Sequence, residues 1–265
     1  MKTQTFYRIG FALLFMLLTT SAVISQQSDE ELAKKLSNPV ASLISVPFQN
    51  NYDWGIGPND GTKYLLNIQP VIPVSIGKKF NLINRVIVPI ISQSNIIGSE
   101  SQSGMGDILM SNFFSPKVSK IIWGIGPAFL FPTATNDYLG GKKFGIGPTA
   151  VILNQSQGWT YGALLNQIWS VAGDKDRNDI STFYMQPFLS YTTKTSTSIG
   201  LSSEDTYNWK SKGWASASLL FNVSQLLRIG KLPVSVGLGG KYYFETPALK
   251  SYWGGRFTFT FLFPA

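Results

Sequence analysis

The side chains able to carry chemistry in this 265-residue sequence are few, because it contains neither histidine nor cysteine. That removes disulfides, thiolate metal ligands, the commonest imidazole ligand and general base, and Ser-His or Cys-His nucleophile pairs. A lipase or protease built on this chain would need an unfamiliar constellation, so the expectation is a non-enzyme with no metal and no cofactor. What remains is charge and hydrogen bonding spaced along apolar segments. Arg85, Asp107, Glu204, Lys241, Glu245 and Arg256 carry the charges, and Tyr184, Tyr243, Asn67, Gln69, Gln186 and Asn222 carry phenols and amides. Facing a wet lumen, an unpaired charge filters ions or holds a carboxylate or phenolate, whereas a paired one braces the wall. Both roles stay open for each of the six. The phenols and amides would offer hydrogen bonds to a small aromatic acid.

Strands must position these residues. The last stretch, Arg256-Phe-Thr-Phe-Thr-Phe-Leu-Phe263, puts phenylalanine on every second residue. A period of two sends the four rings to one face of a strand, and the guanidinium and hydroxyls to the other. That other face is small and mostly neutral, as in a strand whose rings meet lipid while its opposite side meets water. Twelve segments repeat the pattern, at about 41–52, 63–75, 80–93, 105–116, 119–131, 143–154, 158–170, 180–193, 196–206, 212–226, 231–246 and 252–263. Each supplies the ~9–11 tilted residues that cross a bilayer. Short turns alternate with longer polar connections such as Asp53–Thr62 and Thr133–Lys142. Periplasmic turns and extracellular loops produce that alternation. The fold expected is all-β, a transmembrane antiparallel up-and-down barrel of about 12 strands over residues 41–263. Both termini would be periplasmic, and strands 1 and 12 must close the barrel.

Composition agrees. Charged residues make up 14% of the chain, against about 25% in soluble domains. Residues 1–25 read as a secretory signal, with Lys2 and Arg8 before the apolar run Ile9–Leu18 and the small-residue site Val23-Ile-Ser25. Removing them lowers the formal charge from +8 to +6. The scattered basic residues suit lipopolysaccharide phosphates or anionic solutes, not nucleic acid. In the segment 26–40, Ser28 and Glu31 form a capping box, lysines close the turn and Pro39 stops it. A short helix is expected there, favoured as a surface helix at the periplasmic mouth over a plug in the lumen.

Within the strands, facing follows from alternation. Trp159 and Trp169 share a face ten residues apart, the spacing of two aromatic girdles, although Gln167 interrupts that face. Prolines 47, 73 and 89 point inward and are expected to mark bulges. The phrase Gly-Ile-Gly-Pro recurs at 55–58, 124–127 and 145–148. In the fifth and sixth strands its glycines turn inward, where they let neighbouring strands curve and keep the bore open. No helix follows, so they are not a phosphate-binding loop.

Several phrases together carry a resemblance. Asn51-Tyr-Asp53, Gly104-Met-Gly-Asp107, Trp123-Gly-Ile-Gly-Pro127 with Phe131-Pro-Thr133, and Phe144-Gly-Ile-Gly-Pro148 are four of them. Gly162-Ala-Leu-Leu-Asn-Gln-Ile-Trp-Ser170, Gln186-Pro-Phe188, Asn208-Trp209 and Val223-Ser-Gln225 are the others. In combination they resemble the "MetA-pathway of phenol degradation" outer-membrane family over nearly the whole mature chain. The resemblance implies an outer-membrane barrel and transport more strongly than any substrate. The expected function is a passive channel or transporter for small solutes, aromatic or anionic. Its partners would be outer-membrane lipid and lipopolysaccharide, the solute, and the assembly machinery during insertion. A structural or adhesive barrel binding lipopolysaccharide, protein or glycan through its loops is the alternative. If Arg256 lines an open bore, Arg256→Glu should shift ion selectivity toward cations.

Overall fold

The structure, a computed structural model, describes residues 28–246 and 252–263. The expected signal and its cleavage site lie outside them. One helix, α1 (Asp29–Leu36), precedes fourteen strand segments. These are β1 (Ile44–Ile56), β2 (Gly61–Ile68), β3 (Val71–Ile76), β4 (Phe80–Ser94), β5 (Ser101–Met105), β6 (Ile108–Pro116) and β7 (Ile122–Phe131). The others are β8 (Lys143–Ser156), β9 (Trp159–Gly173), β10 (Ser181–Thr192), β11 (Thr197–Asn208), β12 (Gly213–Ile229), β13 (Leu232–Glu245) and β14 (Tyr252–Phe263). All pair antiparallel in one sheet, each with the segment before or after it, except that β4 pairs with both β2 and β3 on one side and both β5 and β6 on the other. β14 then returns to β1, in register from Ile44↔Phe263 to Trp54↔Trp253. Two pairs of segments, β2 with β3 and β5 with β6, are single strands interrupted once, so the closed barrel has twelve strands. Closure leaves no edge whose amides lack partners.

The interruptions explain two of the three inward prolines. At the first break the Gln69 N–H donates to the Pro47 carbonyl, and at the second the Gly106 N–H donates to that of Pro89. Irregularity expected within the proline strands is thus carried by their neighbours. Pro73 keeps register with Ile83. The register shifts fall elsewhere, at Trp54/Ile56, Phe144/Gly145, Thr206/Tyr207 and Ala217/Ser218.

Facing follows the alternation. Ile72, Val74, Phe221, Leu238, Phe244 and Phe257 are exposed on the outside, and Leu262 on the opposite face of β14 is fully buried. Trp159 and Trp169 both point outward, 47% and 48% exposed. Gln167 stays on that outer face because its Oε1 accepts from Trp209 Nε1 at 2.9 Å, which satisfies an otherwise costly polar group. At Gly126 and Gly147 any side chain would strike the carbonyls of Asn112 and Gln167 on the adjoining strands. Their outward neighbours Pro127 and Pro148 pair directly. The repeated phrase is therefore a place where backbones pinch together. Gly124 departs from expectation, because it does not open the bore. A Cβ there would lie 3.0 Å from that of Phe113 and 3.1 Å from Val40 Cγ1.

Turns 77–79, 157–158 and 230–231 lie at one end of the barrel, and the long connections 132–142 and 174–180 at the other. The contrast is milder than the sequence suggests. β1 and β2 run on to leave only 57–60 between them, and 209–212 joins β11 to β12. Asp60 and Lys212 take left-handed φ of 48° and 54° to make these tight turns.

Candidate functional site: the barrel lumen

The N-terminal segment enters the lumen from the short-turn end. Ser28 caps α1 by accepting from the Glu31 N–H at 3.2 Å, and Lys34 pairs with Glu30 at 2.6 Å. The lower face of the helix is what decides its place. Leu32 and Ala33 are buried against Ala41, Leu43, Leu226 and Leu262, the last two from β12 and β14. Gln155 Nε2 donates to the Lys34 carbonyl at 2.8 Å, and Arg228 Nε to Asp29 Oδ1 at 2.8 Å. The helix thus sits in the mouth, not on the surface. The reason is physical: two inward leucines on the strands supply the apolar seat that an isolated amphipathic turn lacks.

Beyond α1 the chain crosses the lumen and buries Val40 against Ile83, Phe113, Val151, Leu153 and Leu164. Tyr184 and Phe188 pack against this cluster. The half of the lumen wall from β3 to β9 therefore carries an apolar cluster on β4, β6, β8 and β9, with Arg85, Asn81, Ser111, Thr149 and Asn166 beside it on the same face.

The other half is polar. Glu204 on β11 accepts from Arg256 on β14 through both oxygens, at 2.7 and 2.9 Å, and from Lys241 on β13 at 2.6 Å. Arg256 Nε also donates to Asn51 Oδ1 at 2.7 Å. Lys241 lies 5.3 Å above the Tyr243 ring, whose hydroxyl donates to Asp53 Oδ2 at 3.1 Å. Bidentate guanidinium pairing and charge-assisted bonds make this the stiffest polar unit of the wall. Arg85 is different. It donates to Gln69 Oε1 at 2.8 Å, and Gln69 Nε2 donates to Gln49 Oε1 at 2.7 Å. No carboxylate among the described residues lies within ion-pair reach of Arg85.

Of the twelve lumen candidates, ten are thus on inward positions. Asn67 stands opposite Gln49 on the inner face of β2, and Gln186 and Asn222 line a cavity. Asp107 and Glu245 are corrections. Asp107 falls in the break between β5 and β6, where its carboxylate accepts the N–H groups of Ala134 and Gly141 at 3.1 and 2.7 Å. It fastens the 132–142 loop and lines no passage. Glu245 lies past a bulge: the register shift leaves Phe244 unmatched and puts Glu245 opposite Ala217, where it is exposed at the end of β13.

Sequence reasoning missed Asn51, Asp53 and Gln49, although their alternation on β1 marks them as inward. It placed the hydroxyls of β14 on the wet face without joining them to the serines of β10 to β13. These line a cavity of about 290 Å³ between α1 and Arg256. A second cavity, of about 180 Å³, holds Arg85, Gln69 and Ser45 and shares Pro47, Gln49 and Gln186 with the first.

At the long-loop end two ion pairs fasten the connections, one within 132–142 and one from the start of β8 to 174–180. Lys142 holds Asp137 at 2.8 Å and Lys143 holds Asp179 at 3.2 Å. The hydrogen bond from each lysine keeps the carboxyl below its ordinary range.

The class these features define is a closed twelve-stranded antiparallel barrel, apolar outside, with its own N-terminal segment in one mouth. No protein-family model matches the sequence, and no curated protein matches it. Among solved structures the chain is similar to an outer membrane channel from Pseudomonas putida F1, with a TM-score of 0.64 and 12% identity. The match covers 83% of this chain and 94% of that one. That channel belongs to the "MetA-pathway of phenol degradation" family. At this identity the likeness shows the fold. The transport unit of the autotransporter AIDA-I from Escherichia coli aligns over 88% of this chain and 95% of that one, with a TM-score of 0.42 and 8% identity, too low to carry an argument.

Proposed function

We propose that the chain is an outer-membrane channel for passive passage of small solutes, with a preference for anions, and a distant member of the family its phrases resemble. One observation carries the reading: an exterior of exposed Ile, Leu, Val, Phe and Trp surrounds a lumen with Lys63, Arg85, Lys241 and Arg256 set against Asp53 and Glu204. A soluble protein would place its apolar side chains the other way round. In a low-dielectric enclosure a cation without a partner raises the local concentration of anions. On this reading the outer rings meet acyl chains, Trp159 and Trp169 lie in the two girdles, and the short-turn end with α1 faces the periplasm. Lys175, Lys210 and Lys212 at the loop end then meet lipopolysaccharide phosphates.

Liposome swelling tests it. Vesicles carrying the purified barrel should admit small organic acids faster than sugars of equal size. A barrel that excludes both overturns the channel reading and leaves the adhesive one, in which the tied loops 132–142 and 174–180 do the binding.

A further inference from the structure

The two guanidiniums in the lumen are not equivalent. Arg256 is committed to both oxygens of Glu204 and to Asn51. Arg85 meets only the neutral amide of Gln69. A guanidinium presents a planar fork matched to a carboxylate. With a neutral amide as its acceptor, Arg85 has no carboxylate in direct contact among the described residues, Glu204 acting on it only from a distance. The chamber around Arg85 also holds Gln49 and Gln186 and adjoins the larger cavity through both.

That larger cavity has an unusual wall. Ser190, Ser202, Ser224, Ser235, Thr258 and Thr260 face it, and none makes a side-chain hydrogen bond among the described residues. The Ser190 hydroxyl is buried without any partner. The row Ser198–Ser224–Gly237–Thr258 runs across four neighbouring strands, so glycine leaves the space that the hydroxyls border. An apolar ring placed here would leave these hydroxyls unpaired, at the cost that desolvated donors carry. Phe188 and Leu220 provide one apolar flank. At about 290 and 180 Å³, the chambers fall below the ~300–1,000 Å³ of sites for drug-sized ligands. The occupant is small.

We propose that the lumen holds a binding site for a small hydroxylated carboxylate, with the carboxylate on Arg85 and the hydroxyls on the serine–threonine wall of β10 to β14. This deepens the channel reading and rests on the lumen admitting water-soluble solutes. It names what pauses there.

Calorimetry on the detergent-solubilised full-length barrel tests it, with sodium gluconate, glucose and sodium benzoate as probes. Gluconate should bind saturably and at least about tenfold more tightly than either of the others, because only it satisfies both the fork and the wall. Arg85→Gln should remove the preference over glucose, and Arg85→Lys should keep part of it. Thr258→Val should weaken gluconate and leave benzoate unchanged. Benzoate binding equal to gluconate, or gluconate binding indifferent to Arg85→Gln, overturns the site. A barrel that conducts ions yet binds none of the three overturns this site alone. One that binds gluconate but conducts nothing overturns the channel reading instead.

Discussion

Two halves of one barrel, β3 to β9 and β10 through β14 to β2, are written in the same period-two alternation yet face the lumen with different characters. On the first half Ile83, Phe113, Val151, Leu153 and Leu164 pack inward with Val40 of the entering chain, and polar places such as Asn81, Arg85, Ser111, Thr149 and Asn166 flank that cluster on the same face. On the second the inward places are mostly serine, threonine, glycine and a charged cluster around Glu204, with Phe188, Leu220, Leu226 and Leu262 among them, and cavities remain. Alternation therefore decides which side chains point inward but not whether the inside is wet. The difference teaches how the N-terminal segment is held: α1 is seated on Leu226 and Leu262 at the mouth of the second half, and Val40 is anchored in the apolar cluster of the first. The polar half is left as the path.

The largest expected effect breaks the filled half. Phe113 is fully buried, and Phe113→Ala should cost about 3–5 kcal/mol through the cavity it leaves. Urea unfolding in lipid vesicles would measure it, and conductance should rise in the same variant as the strap carrying Val40 loosens. Next, Glu204→Gln leaves Arg256 and Lys241 without their shared carboxylate and should cost about 3 kcal/mol. The same change should move the reversal potential further toward anions. A neutral outcome in both assays would mean that the polar half is already open to water around these groups.

Asp29→Ala removes the mouth contact to Arg228. Because this pair is exposed, the loss should stay within about 0.2–1 kcal/mol. The apolar seat at Leu226 and Leu262 should then keep α1 in place. Smallest is the acid response of the loops. Asp137 and Asp179 have depressed folded pKa values, so their contribution is complete above the ordinary carboxylate value and is lost as pH falls through the lower, folded one. Hydrogen exchange in 132–142 and 174–180 should therefore quicken only below about pH 4.

Strand positions were legible in the sequence because alternation is local: Phe257 and Leu238 point outward for reasons contained within a few residues. Glu204, Lys241 and Arg256 were legible as inward, although their mutual pairing joins strands far apart in sequence. Three features were hidden. A bulge at Phe244 moves Glu245 out of the row, and nothing in the sequence of β13 alone marks that shift. Asp107 looks inward until the strand breaks beside Pro89. The seat of α1 required Leu226 and Leu262 to be taken together, two inward leucines that look like lapses in polar faces. The hydroxyls of β14 were legible as facing water, but their union with serines of β10 to β13 into one wall joins strands that are far apart in sequence, and neutral hydroxyls lack the charge that singles out a site.

The central claim is that the polar side of the lumen forms a water-filled path whose selectivity comes from Arg85. This cation of β4 borders the path beside Gln49 and Gln186 and has no carboxylate within ion-pair reach among the described residues. The reversal potential across a planar bilayer under a potassium chloride gradient measures this directly, in the native barrel and in Arg85→Gln. An anion-selective native channel that moves toward neutrality in the variant is the expected result. Cation selectivity in the native barrel, or a reversal potential that Arg85→Gln leaves unmoved, would contradict it.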